Sequence, residues 1–255
     1  MKGAEPFFID KKSKIGILLL HGFTGTPYQF REVGEYLGKE GFTVYAPLII
    51  GHGTSPEDLM NTTMEDWQKS VRAAYLKLKE KVQKIVVVGN SFGGNLAFYL
   101  AHQFPDSTAA VVSLGTPIKL RFQWFIKVRF YLYGWMKKYY HKPRRIYKID
   151  YTDMIDELTY PVIPIKSLQE FFKFIRTETI PNLKNIKTPT LIMHANVDPV
   201  VSPNSAIHIY ENLGSSYKRI YWFNSREHIV ARTERRQELT EKALNFIREI
   251  TAKTA

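Results

Sequence analysis

The chain has 255 residues, 44% hydrophobic and 24% charged, a composition that excludes wholesale disorder and suits one α/β domain with an insertion better than two independent cores. Without a single cysteine, it excludes disulfides, thiolate metal sites and a cysteine nucleophile. The net charge of +12 is local: residues 119–148 hold ten Lys or Arg and no Asp or Glu, so the rest of the chain is nearly neutral.

The first apolar run, 15–20, is short and preceded by charges, which is not a signal-peptide layout. No stretch approaches the ~20 apolar residues that span a bilayer, so a soluble cytoplasmic protein is expected. Mostly apolar β-branched runs predict strands over 15–20, 42–46, 85–89 and 109–114, buried on both faces. Met64, Trp67, Val71, Ala74, Leu78 and Val82 recur at helical spacing and predict an amphipathic helix over 64–82. Two further strands are predicted over 191–194 and 220–223, and a last helix over 234–250. This alternation predicts an α/β fold with a mostly parallel sheet and helices on both sides. It breaks over 118–181, where no clean strand is visible and aromatic helical patches surround the Pro-punctuated Tyr160-Pro161-Val162-Ile163-Pro164. That stretch reads as an insertion between two core strands, with a core of 1–117 and 182–255.

The sharpest local signal is Gly89-Asn90-Ser91-Phe92-Gly93, between an apolar strand and a helical pattern beginning near Asn95. A serine at the tip of so tight a turn needs small residues on both flanks, and it sits where free helix N–H groups favour developing negative charge. The competing reading is a Gly-rich loop that merely ends a strand. A serine hydroxyl needs a base, and the base an orienting acid, in the chain order Ser, acid, His. Asp198 follows the strand over 191–194, and His228 follows the strand over 220–223, both in strand-end loops. Taken alone, Asp198 is also a plain turn former before Pro199. Among the other histidines, His102, His141 and His208 read as surface or helix residues, and His194 as a packed, hydrogen-bonded neutral imidazole. An oxyanion hole would take one N–H from Phe92, after the serine, and one from Phe23 in His21-Gly22-Phe23-Thr24-Gly25. No HExxH or comparable ligand spacing occurs, so neither metal nor cofactor is expected.

With these residues in place, the sequence resembles the α/β-hydrolase superfamily, and within it bacterial and archaeal carboxylesterases and monoacylglycerol lipases. The resemblance rests on GAEPFF (3–8), LLLHGFTGTP (18–27), GHGTSPEDL (51–59), GNSFGG (89–94) and the loops bearing Asp198 and His228. It implies a Ser91–His228–Asp198 triad, an oxyanion hole from the N–H groups of Phe23 and Phe92, and a small cap over an apolar acyl pocket, here 118–181. It also implies a cap glutamate that holds glycerol hydroxyls, for which Glu157 lies in similar context. Relatives often carry a Leu-Ser-Met elbow, where this chain has Asn90-Ser91-Phe92.

The implied activity is hydrolysis of short- to medium-chain acyl esters, monoacylglycerols included, through an acyl-enzyme. Phe122, Trp124, Phe125, Phe130 and Trp135 would line an acyl channel, and the interleaved Lys and Arg would keep the cap soluble or draw it to anionic lipid. Another activity on the same fold (peptidase, lactonase or aromatic-ester esterase) stays open, as does a non-catalytic ligand receptor. Nucleic acid is not an expected partner, because the positive charge is confined to one insertion and no recognition motif accompanies it.

Overall fold

The computed structural model describes residues 1–121, 137–143, 158–228 and 235–252 of the chain. Seven strands form the central sheet: β1 (Phe7–Ile9), β2 (Ile15–Leu20), β3 (Thr43–Ala46), β4 (Lys84–Asn90), β5 (Thr108–Leu114), β8 (Thr190–Ala195) and β9 (Lys218–Phe223). Their order is β1-β3-β2-β4-β5-β8-β9. Only β1 runs antiparallel, against β3, and every other pair is parallel. The carboxyl ends of β2, β4, β5, β8 and β9 therefore share one edge, which collects the loops that follow them.

Alternation along the strands builds two cores. Leu18, Leu20, Ile85 and Val87 face one side of the sheet, against α3 (Met64–Lys79) and α4 (Phe92–Gln103). Ile17, Leu19, Val86 and Val88 face the other, against α1 (Arg31–Lys39) and α7 (Arg236–Ala252). A complete capping box starts α3: the Thr63 hydroxyl accepts from the Asp66 N–H while the Asp66 carboxylate accepts from the Thr63 N–H. Between β3 and α3 lies the short α2 (Pro56–Met60), and between β8 and β9 lies α6 (Asn204–Asn212).

Between β5 and β8 the chain leaves the sheet. Its described part contains β6 (Tyr139–His141) and β7 (Val162–Pro164), paired antiparallel, then α5 (Ile165–Phe174) and a π-helical turn at Ile175–Thr179. Tyr160, Ile163, Leu168, Phe171 and Phe174 join the core on the α3/α4 side instead of forming one of their own. The buried Asn95 amide on α4 donates to Pro117 O at 3.1 Å and to Thr179 Oγ1 at 3.1 Å, tying both stems of the excursion to one helix.

Several expectations need correction. The antiparallel β1 was not expected, and two short strands, β6 and β7, lie where no clean strand was visible. Helix α3 ends at Lys79, not Val82, because the chain there turns toward β4: Gln83 and Lys84 N–H both donate to Lys14 O. Val82 is buried, but it packs from that turn, so its helical spacing has another origin. Helix α4 begins at Phe92, immediately after the serine and not near Asn95.

Candidate active site

Ser91 sits between β4 and α4 with φ 53° and ψ −119°, a left-handed conformation that an L residue adopts only under constraint. The constraint is local. Ser91 N–H donates to Leu114 O at 2.7 Å, and Gly94 N–H returns to Ser91 O at 2.9 Å. A Cβ on Gly89 would stand 2.2 Å from Gly93 O, and one on Gly93 would stand 2.0 Å from Leu20 O. Only glycine fits either place, so the turn presses its backbone against itself and against β2.

His228, in the loop after β9, meets the serine: its Nε2 lies 2.8 Å from Ser91 Oγ. Its Nδ1 lies 2.7 Å from Asp198 Oδ2. Asp198 is 1% exposed, and its other oxygen accepts the N–H groups of Val200 and Val201, both at 2.8 Å. Burial alone would raise the Asp198 pKa, but a positive His228, its ring hydrogen bond and the Val201 amide outweigh burial and hold it below the usual carboxylate range. An ionised Asp198 accepts from Nδ1–H, which leaves Nε2 to accept the serine proton. The acid loop is steadied by the excursion's first stem, since Arg121 N–H donates to Val200 O and Ser202 N–H donates to Lys119 O.

The loop after β2 closes on the same turn: a Cβ added to Gly22 would lie 3.4 Å from Ser91 Cβ. Neither Phe23 N–H nor Phe92 N–H has a protein acceptor among the described residues. The Phe23 and Phe92 rings meet edge to face at 5.6 Å, within a cluster that includes Trp67 and Phe171.

Two residues that the sequence did not single out support this loop. His21 Nε2 accepts from Ile49 N–H at 3.1 Å, so the ring proton sits on Nδ1 and is donated to Gly22 O at 3.0 Å. Gly25 N–H reaches the same carbonyl at 3.0 Å, and two donors on one carbonyl strengthen the N–H at the other end of that peptide, which is Phe23's. Burial, then the nearby His52 charge, push His21 down to about 3, against the Gly22 carbonyl that pulls it up. His52 is pushed down to about 4, first by burial. Gln29, beneath the loop, accepts from Gly22 N–H at 3.1 Å and from Asn90 Nδ2 at 3.4 Å, linking loop and turn. The only sequence signal for His21 is its place in the His-Gly-Phe run, and Gln29 has none.

Ser91, Asp198 and His228 are thus brought together, and Phe23 and Phe92 stand beside them. Glu157 lies outside the described residues, as do Phe122, Trp124, Phe125, Phe130 and Trp135. His194 is buried as expected, and it packs edge to face on Trp222. His102 and His208 lie on helices and His141 on β6, away from the triad. No group of three or more His, Asp or Glu among the described residues is placed to hold a metal ion. No helix among them is long and apolar enough to cross a membrane.

Comparison with known proteins finds relatives along nearly the whole chain. A thermostable monoacylglycerol lipase of Bacillus sp. (strain H-257) is 32% identical over 250 residues, covering 96% of this chain and 95% of its own. A carboxylesterase of Bacillus subtilis (strain 168) is 28% identical over 247 residues, covering 96% and 97%. A solved structure from work on LipS and LipT, two metagenome-derived lipolytic enzymes, superposes with a TM-score of 0.87 at 28% identity, over 98% of this chain and 99% of that one. The Paleococcus ferrophilus monoacylglycerol lipase, with a TM-score of 0.77 and 20% identity over 94% of this chain and 96% of its own, shares the fold. A family model described as serine aminopeptidase, S33, matches residues 11–235, and the chain belongs to that family of α/β-hydrolases.

Proposed function

We propose that the protein is a serine carboxylic-ester hydrolase acting on short- to medium-chain acyl esters, monoacylglycerols among them. The observation that carries this reading is the unbroken path Ser91 Oγ–His228 Nε2–His228 Nδ1–Asp198 Oδ2, at 2.8 and 2.7 Å. In the first step Ser91 Oγ bonds to the ester carbonyl carbon as its proton passes to His228 Nε2. Asp198 stabilises the imidazolium, while the N–H groups of Phe23 and Phe92 hold the oxyanion. The carbonyl re-forms, the bond to the alcohol oxygen breaks, and His228 gives that oxygen its proton. Water then repeats the sequence on the acyl-enzyme, releasing the acid and returning the proton to Ser91.

The names of the relatives favour esters, whereas the description of the family model favours peptides. Residues 118–181 are read as a cap over the acyl pocket, with the basic, aromatic stretch as its contact with lipid surfaces. The test sets p-nitrophenyl esters and monoacylglycerols against an aminoacyl p-nitroanilide, for the parent and for Ser91→Ala. Ester turnover by the parent, reduced about 10⁵- to 10⁶-fold by the substitution, is expected. Turnover of the anilide alone, or ester turnover that survives Ser91→Ala, overturns the reading.

A further inference from the structure

Thr24 follows the proposed oxyanion donor Phe23, and its φ is +65°, left-handed for a β-branched residue. Such a conformation costs about 1–3 kcal/mol and persists only where its surroundings impose it. Part of the constraint is local, since Gly25 N–H on Gly22 O closes a turn with Phe23 and Thr24 at its centre. A β-branched residue fits such a turn poorly, and two residues of the excursion hold it there from outside. Tyr160 N–H donates to Thr24 O at 3.0 Å, and Lys142 Nζ donates to Thr24 Oγ1 at 2.5 Å. The Thr24 hydroxyl in turn donates a hydrogen bond to Phe23 O at 2.5 Å. The chain thus runs from an ammonium group, through a hydroxyl, to the residue that supplies the oxyanion donor.

The two gripping residues form one unit. Lys142 follows β6 and Tyr160 precedes β7, and Lys142 N–H donates to Pro161 O at 3.2 Å across the ladder. The Tyr160 phenol is fixed in turn, donating to Gly51 O at 3.1 Å and accepting from Thr54 N–H at 2.9 Å. The Lys142 side chain is 118 positions from Thr24 in sequence, and the residue is only 9% exposed. Burying an ammonium is costly unless its hydrogen bonds are made, and the Thr24 hydroxyl accepts one of them.

We propose that Lys142, with Tyr160, is a positioning residue for the oxyanion hole: the seated excursion holds Thr24 left-handed and so aims the Phe23 N–H at the reacting carbonyl. This rests on the ester-hydrolase reading above. It makes the excursion part of the catalytic machinery, because lifting the β6–β7 ribbon releases Thr24 and disarms the hole. Ester cleavage is then coupled to a closed site.

The experiment compares the parent with Lys142→Met, Lys142→Arg, and Lys39→Met as the same change at an exposed lysine on α1. It reads kcat and KM on a p-nitrophenyl ester, affinity for an alkyl trifluoromethyl ketone, and hydrogen exchange at the amides of Gly22 and Gly25. The ketone adds to a serine hydroxyl and places its oxyanion in the hole. Lys142→Met is expected to lower kcat about ten- to thirtyfold, part of the 10²–10³ that a lost oxyanion donor costs, with KM within twofold. The ketone should weaken by the same factor, exchange at Gly25 should quicken, Lys142→Arg should recover most of kcat, and Lys39→Met should match the parent.

An unchanged kcat with unchanged exchange overturns the proposal. So does a rise in KM alone, which would make Lys142 a substrate contact, or a loss of protection spread evenly over the whole core. A parent that hydrolyses no ester sinks the proposed function instead, while exchange at Gly22 and Gly25 still decides whether Lys142 holds the loop.

Discussion

Ser91 and Thr24 both carry positive φ, 53° and 65°, and both stand at the mouth of the same site, yet they are held in different ways. Ser91 is held from within: the glycines on either side let the turn press on itself and on β2, with backbone oxygens about 2 Å from any added Cβ. Thr24 lies in a local turn closed by Gly25 N–H on Gly22 O, but it is also gripped from outside, by side-chain and backbone donors more than a hundred residues away. The turn at Ser91 is therefore a property of a short segment, while the loop of Thr24 beside it depends also on the assembled molecule. Strain of the first kind leaves a motif in the sequence. Strain of the second kind leaves none.

Gly93→Ala is expected to have the largest effect, because the new Cβ meets Leu20 O, backbone that cannot swing aside. Ester turnover should fall about to the level of Ser91→Ala, and the melting temperature should drop by roughly 10 °C or more. Parent-like kinetics from this variant would show that the turn is not self-held, and the contrast with Thr24 would collapse.

Gln29→Leu probes the bridge between the two regions and should do less. It leaves Gly22 N–H buried without an acceptor, at a cost of about 1–3 kcal/mol, so melting falls by roughly 2–8 °C. As Gly22 abuts Phe23, the proposed oxyanion donor, kcat should decline about three- to tenfold with KM steady. A drop in stability with kcat intact would mean that Gln29 supports the fold but not the aim of the loop.

What could be read from the sequence follows the same division. Ser91, Asp198 and His228 were legible because a parallel sheet puts the loops after its strands on one edge, and each of the three follows an apolar run. Phe23 and Phe92 were legible by position relative to those strands. Strands of three residues, such as β1, β6 and β7, are too short to show a period, and Val82 mimics a helical position because the turn into β4 buries it. Lys142 was read only as one charge in a basic stretch. Its partner Thr24 lies in another segment, and no local pattern joins a lysine to a hydroxyl across the fold.

The smallest effect concerns pH, and it separates the two regions again. The turn from Gly89 to Gly94 contains no titratable side chain, whereas the loop of Thr24 leans on His21 and lies against His52, whose rings meet at 5.1 Å. Both histidines are kept neutral, chiefly by burial, with pKa values pushed down to about 3 and about 4. In the unfolded chain they titrate near 6.5, so below that pH the unfolded state binds protons that the folded state refuses. Their contribution is complete above about 6.5 and is lost as the pH falls toward 4. Buried Asp198 also has a lowered pKa, but its loss belongs to a lower window, beneath about 3.9, where unfolded aspartate titrates. Between pH 4.5 and 6.5 the urea midpoint should therefore decline with a slope of roughly two extra protons on unfolding, with His194, also lowered by burial, adding to it. His52→Gln should reduce that slope by about one proton. An unchanged slope would mean that His52 is not buried neutral, and acid would then give no reason for the Thr24 loop to loosen before the turn at Ser91.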